Sequence, residues 1–183
     1  MAGDDKREQI LSAARELMLA QGPRATSMEA IARAAQVAKP TLYKYYGDKS
    51  AVFAALVAEL LVDLNADFLA ALAGPGDIAT RLTLAISAKY AAITRLVGRS
   101  PHAAELMGEQ ERSPTPQAVA TEQAVTETVI EALKADGIAE AELLAETVLH
   151  ASWGLYRRTT SPEVFEAQLQ LLVGRMIGHA RRH

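Results

Sequence analysis

Residues 27–46 read SMEAIARAAQVAKPTLYKYY. Met28, Ile31, Ala32 and Ala35 recur at i, i+3, i+4 and i+7, so the first half predicts a short helix with one apolar face. Thr26-Ser27-Met28-Glu29 has the spacing of a capping box, with Thr26 as N-cap and Glu29 reaching back to it. Pro40 suits the first turn of a second short helix, where its missing N–H costs nothing. It also disfavours a helical Lys39, so a break is expected there. At ~100° per residue, Leu42 and Tyr46 share the inner side of the second helix and Lys44 points away from them. Pro40 and Thr41 lie near Lys44, and Tyr43 and Tyr45 flank the boundary. Two short helices around a tight turn have the geometry with which a recognition helix enters the major groove of DNA. The outward cation, hydroxyl and phenols suit phosphates and base edges. Periodicity alone equally allows an ordinary amphipathic core helix.

The same reading extends in both directions. Ile10, Leu11, Ala14, Leu17 and Met18 repeat at helical spacing, and Gly22-Pro23 stops that helix. Asp48 is a plausible cap for a long helix reaching about Ala73, with Phe53, Leu56, Val57, Leu60, Leu64 and Phe68 as its buried stripe. Gly74-Pro75-Gly76 is a stop, and Asp77 caps a helix to about Leu96. Ser100-Pro101 opens a shorter helix, and Ser113-Pro114-Thr115-Pro116 is the most loop-like stretch. A long helix then ends near Asp136-Gly137. Thr160-Ser161-Pro162 separates the last two, with Ser161 as cap. No stretch alternates like a strand, so an all-α fold of about nine helices is expected.

Composition limits the function. The chain has 183 residues and half are apolar, which is enough for a real core. No apolar run approaches the ~18 residues of a membrane-spanning helix, so no membrane role is expected. The charged segment Met1–Gln9 does not read as a signal peptide. Cysteine is absent, which fits the cytoplasm and excludes thiolate metal sites. The four histidines, His102, His150, His179 and His183, form no ligand-spaced cluster, so neither metal nor cofactor is expected. Net charge is −3, which argues against nucleic acid as a whole-chain partner. Residues 1–50 nevertheless carry +2 and residues 51–183 carry −5, so nucleic-acid binding would be local to the N-terminal end.

Residues 10–57 closely resemble the N-terminal domain of the TetR-family repressors. The family pattern is a helix, a Gly-rich turn and a run like T-S-x-x-x-I-A-x-x-A-G-V-S-K-x-T-L-Y-x-Y-F-x-x-K-x-x-L. Here it is met by Thr26, Ser27, Ile31, Ala32, Ala35, Val37, Lys39, Thr41, Leu42, Tyr43, Tyr45 and Lys49, with Val52 in the last apolar place. Three positions depart. Gln36 replaces the turn glycine, Ala38 replaces a Ser/Thr that often caps the recognition helix, and Tyr46 replaces phenylalanine. A left-handed Gln36 would cost ~1 kcal/mol relative to glycine. The resemblance implies a helix-turn-helix DNA-binding domain over residues 4–64 and a ligand-binding and dimerisation domain over 65–183. It implies a homodimer on a palindromic double-stranded operator, acting as a repressor that a small molecule releases. The DNA-facing set would be Thr26, Ser27, Lys39, Pro40, Thr41, Tyr43, Lys44, Tyr45 and Lys49.

The remainder is less specific. Tyr90, Met107, Trp153 and Tyr156 stand out in a region rich in alanine and leucine, and His150, Trp153 and Arg157 share a helix face. They suit an apolar pocket for an apolar or aromatic effector of unknown identity, and equally suit core and rim positions. Leu144, Val148, Ala151 and Leu155 form one apolar stripe, and Phe165, Leu169, Leu172, Val173 and Met176 form another. In the family such a pair docks against its copy, and such stripes also pack within one chain. Gly174 and Gly178, four apart, would allow close helix approach, and Arg181-Arg182 reads as a solvated tail. No phosphate loop, G-x-S-x-G or H-E-x-x-H is present, so no enzyme is expected. Two other readings stay open: a DNA-binding regulator without a small-molecule effector, and a helical small-molecule binder with a vestigial DNA-binding motif.

Overall fold

The computed structural model describes residues 2–98, 100, 102–159 and 161–181, and among these it contains nine helices and no strand. They are α1 (Ala2–Gln21), α2 (Met28–Ala34), α3 (Lys39–Tyr45), α4 (Lys49–Leu72), α5 (Ile78–Gly98), α6 (Ala103–Arg112), α7 (Pro116–Ala135), α8 (Ala141–Arg158) and α9 (Pro162–Ala180). Pro101, Thr160, Arg182 and His183, on which parts of the sequence reading rest, lie outside the described residues. Asp48, Asp77 and Ser161 cap as expected, their side-chain oxygens accepting from the amides of Ala51, Thr80 and Val164. Among the described residues, no helix is long and apolar enough to cross a membrane, and no metal-holding cluster of histidine and acidic residues occurs.

The chain forms two compact units, one of residues 1–62 with 94–120 and one of residues 63–93 with 121–183. Residues 94–120, which the expected division at 64/65 assigns to the C-terminal part, pack with the N-terminal unit. Leu106 of α6 is the reason, because it is buried in the core that Ile10, Met18, Ile31, Leu42 and Leu56 build. Each crossing between the units falls inside a helix, in α4, α5 and α7.

Two turns shape the first unit. Gly22 ends α1 at φ +86°, a left-handed conformation that glycine tolerates. Gln36 stands between α2 and α3 at φ +51° and is the one non-glycine with positive φ among the described residues. The turn therefore takes a left-handed conformation without a glycine, at a strain of ~1 kcal/mol. Gln36→Gly is expected to raise unfolding stability by roughly that amount with operator affinity unchanged, as measured by urea denaturation and DNA titration. A loss of stability would mean that the Gln36 side chain contributes something its exposed position does not show.

In the second unit α8 and α9 bury Leu144, Val148, Phe165, Leu169, Val173 and Ile177 within one chain. This corrects the expected dimer faces, since Leu144, Val148, Phe165 and Leu169 are core. Leu155, Leu172 and Met176 are only partly covered. The large apolar side chains left in solvent on these helices are Leu143, Val164 and Leu171. Arg181 is also no solvated tail, because its guanidinium pairs with the Asp136 carboxylate beyond the end of α7.

Candidate nucleic-acid interface

Helix α3 has seven residues and is too short to hold itself together. Leu42, fully buried, pins it to the core, and Tyr46 follows at its C-terminal end. The Tyr46 hydroxyl is buried without a hydrogen-bond partner among the described residues, so the phenylalanine of the family pattern would lose nothing there. Leu42 and Tyr46 turn the other side of α3 outward. Lys39, Pro40, Tyr43 and Lys44 are exposed, and Thr41 and Tyr45 are half-buried. The inward and outward sides are those that the periodicity predicts.

The start of α3 differs by one residue from the expected one. Lys39 is already helical, and the extended residue is Ala38, at ψ 142°, which makes no side-chain capping bond. The Lys39 ammonium bonds the Glu29 carboxylate and lies 5.9 Å from the centre of the Tyr43 ring. The hydrogen bond and the charge of Glu29 hold Lys39 above the usual lysine range, and Lys39 holds Glu29 below the usual carboxylate range. Glu29 therefore serves α3 and closes no capping box. Ser27 is the N-cap of α2 instead, its hydroxyl oxygen accepting from the Ala30 amide at 3.1 Å. Thr26 is buried and donates its hydroxyl to the Gly22 carbonyl at 2.9 Å. That bond fixes the α1–α2 turn and corrects both its capping role and its placement among outward-facing groups.

Lys49 is anchored at the start of α4. Its ammonium donates to the carbonyls of Pro23 and Arg24, at 3.0 and 3.3 Å. An ammonium has three protons, so one is left for an anion. Lys49 thus stiffens the turn ahead of α2 as well as carrying charge. Nearby, Met18 and Phe53 floor an open cleft of about 260 Å³, with Arg24, Lys49 and Glu109 on its walls.

The residues expected at an effector site divide between the units. Met107 is half-buried on α6 in the first unit, and the other five belong to the second. There Tyr90 stacks on Tyr156 with ring centres 4.6 Å apart and on Trp153 at 6.0 Å, and Phe165 meets Tyr90 edge-on at 5.3 Å. The rings fill space against one another. The Tyr90 hydroxyl lies 3.2 Å from Ser152 Oγ, and burial pushes its pKa up to about 12, a rise that the Ser152 hydrogen bond opposes. Arg157 is exposed, with its guanidinium 5.9 Å from the centre of the Trp153 ring, and His150 is exposed. Phe165 and Ser152 were not foreseen at this cluster. Phe165 lies on a different helix, and no spacing within α8 points to it.

Comparison with known proteins agrees with this geometry. Residues 10–56 match the family described as bacterial regulatory proteins, tetR family. A transcriptional regulator of the TetR/AcrR family from Thermobifida fusca YX-ER1 is 26% identical over 92% of this chain and 96% of its own, with a TM-score of 0.69. A TetR-like transcriptional regulator from Rhodococcus sp. RHA1 has 21% identity, covering 94% of this chain and 96% of its own, with a TM-score of 0.66. The TetR-family repressor AlkX from Dietzia sp. strain DQ12-45-1b, implicated in n-alkane biodegradation, has 17% identity, covering 96% of this chain and 95% of its own, with a TM-score of 0.63. No curated protein sequence matches the chain.

Proposed function

We propose that this chain is a TetR-family transcriptional regulator, and that it acts as a cytoplasmic homodimeric repressor, released from a palindromic operator by a small apolar or aromatic molecule. The observation that carries the DNA-binding part is α3 itself. One buried leucine fixes it, and Pro40, Tyr43 and Lys44 stand clear in solvent. Two such helices in successive major grooves require a separation near ~35 Å, which a two-fold dimer supplies. Exposed Leu143, Val164 and Leu171 support a second copy of the chain as the partner of α8 and α9. The half-buried Trp153, at the edge of the ring stack, supports an aromatic or apolar effector, since a flat apolar molecule would extend the stack.

Operator selection from random duplex, followed by titration, tests the reading. A two-fold footprint is expected, and protein that binds no duplex in preference to any other defeats it. A panel of apolar compounds, scored together by operator release and Trp153 emission, tests the effector. A panel that leaves the complex intact points to a regulator without one. Lys44→Ala is expected to cost ~1–3 kcal/mol and to change the preferred sequence if it reads a base. Lys49→Ala is expected to weaken all sequences alike and to lower the salt slope by about one per protomer. Equal, sequence-blind losses would make Lys44 a second phosphate contact.

A further inference from the structure

Arg24 stands in the turn between α1 and α2, three residues ahead of the Ser27 cap. Its side chain is 75% exposed. Its backbone carbonyl accepts from Lys49, which fixes its base beside a second cation. Its tip turns toward α6, where Nε lies 3.8 Å from Glu105 Oε1 and Nη2 lies 3.8 Å from Glu109 Oε2. These distances are too long for hydrogen bonds, so the attraction is that of charge alone.

The two carboxylates are held there by contacts that do not involve Arg24. Leu106 is buried in the core of the first unit. Ser100 Oγ donates to the Leu19 carbonyl in the last turn of α1. Gly22 lacks the Cβ that would come within 2.8 Å of Glu105 Oε2 and 3.0 Å of His102 Nδ1, so α6 sits close over the turn. Glu105 Oε2 also lies 3.4 Å from His102 Nδ1, and Glu109 Oε2 also pairs with the Arg112 guanidinium, so both carboxylates are positioned from α6 itself while they face Arg24, in the one part of the chain that reads as a DNA interface. They oppose the approach of a polyanion there.

We propose that Arg24 is a DNA-backbone contact that Glu105 and Glu109 hold off the duplex, so that α6 carboxylates and operator phosphates compete for one guanidinium. This rests on the DNA-binding reading above. A phosphate offers bidentate hydrogen bonds that the carboxylates at 3.8 Å do not make. It also brings the release of condensed counterions. Arg24 then leaves α6 when the duplex arrives. Any change in the placement of α6 alters affinity for all sequences alike and leaves base readout by α3 untouched.

The test is anisotropy titration of the full chain with a short duplex of arbitrary sequence, over a series of salt concentrations. Four proteins are compared: the parent, Arg24→Gln, Glu105→Gln with Glu109→Gln, and the triple variant. Arg24→Gln is expected to weaken binding and to take about 0.9 per protomer off the salt slope. The glutamate pair is expected to tighten binding about fivefold, and that gain is expected to fall below about twofold in the triple variant. A gain that persists without Arg24 would mean that the carboxylates act only through net charge, which overturns the proposal. So would an unchanged salt slope in Arg24→Gln. Matched thermal melts establish that the variants fold, and Arg24→Lys is expected to retain most of the slope. Failure of the parent to bind duplex at low salt would instead defeat the DNA-binding reading, and this inference with it.

Discussion

In the Leu42→Ala protein, operator binding is expected to fall at least about 100-fold while Trp153 emission stays as in the parent. Leu42 is the one buried residue within α3 and is fully enclosed by the core of the first unit. Truncating such a leucine typically costs ~2–5 kcal/mol, a large share of the ~5–15 kcal/mol that stabilises a domain. The loss falls on a seven-residue helix with no capping side chain and a strained residue just before it. The recognition surface therefore loses its order before the rest of the chain does. Trp153 belongs to the second unit and is the single tryptophan, so its emission reports that unit separately. Parent-like operator affinity in Leu42→Ala would show that α3 is held by something other than this side chain.

The second large effect concerns assembly. Leu143 and Leu171 are 62% and 61% exposed in the single chain, so a charge at either place disturbs no packing within it. Leu143→Glu with Leu171→Glu is expected to raise the dimer dissociation constant at least about 100-fold, because each glutamate would lose its hydration in the interface. Sedimentation is expected to show a monomer with an unchanged thermal melt of secondary structure, and operator affinity is expected to fall with the dimer. A doubly substituted protein that stays dimeric would place the interface elsewhere. Leu169→Ala makes the contrast, since that residue is fully buried and its loss destabilises the chain itself.

The elements were legible because caps and stops are local chemistry. Asp48, Asp77, Ser161 and Gly74-Pro75-Gly76 mark helix ends through bonds to neighbours a few residues away. The inner and outer sides of α3 followed from its period for the same reason. Adjacent capping candidates were less distinct. Thr26 and Ser27 carry equivalent hydroxyls, and their spacing does not tell that Thr26 turns inward to the Gly22 carbonyl while Ser27 caps α2. What covers an apolar stripe was not legible at all. Phe165 and Leu169 carry the same periodicity whether they meet α8 or a second copy, and they are buried within the chain. The exposed Leu143 and Leu171 each sit outside the repeating pattern, so no spacing marks them as a surface. The attachment of α6 to the first unit depends on Ser100 meeting Leu19, 81 positions away, and on Leu106 joining a core drawn from residues 10–56, which no local pattern records.

The interleaving of the two units has a consequence for protein engineering. Because the chain crosses between them within α4, α5 and α7, no single splice point separates reader from body. A graft of residues 1–62 onto another regulator would omit Leu106 and Ser100, leaving an open place in the transplanted core and the Leu19 carbonyl without its Ser100 donor. A working chimera needs residues 94–120 as well, joined at three points within helices with the helical phase kept across each seam. Exchange of reading heads within this architecture is thus a problem of discontinuous inheritance, and a crossover that preserves only the recognition motif would yield proteins that fold poorly.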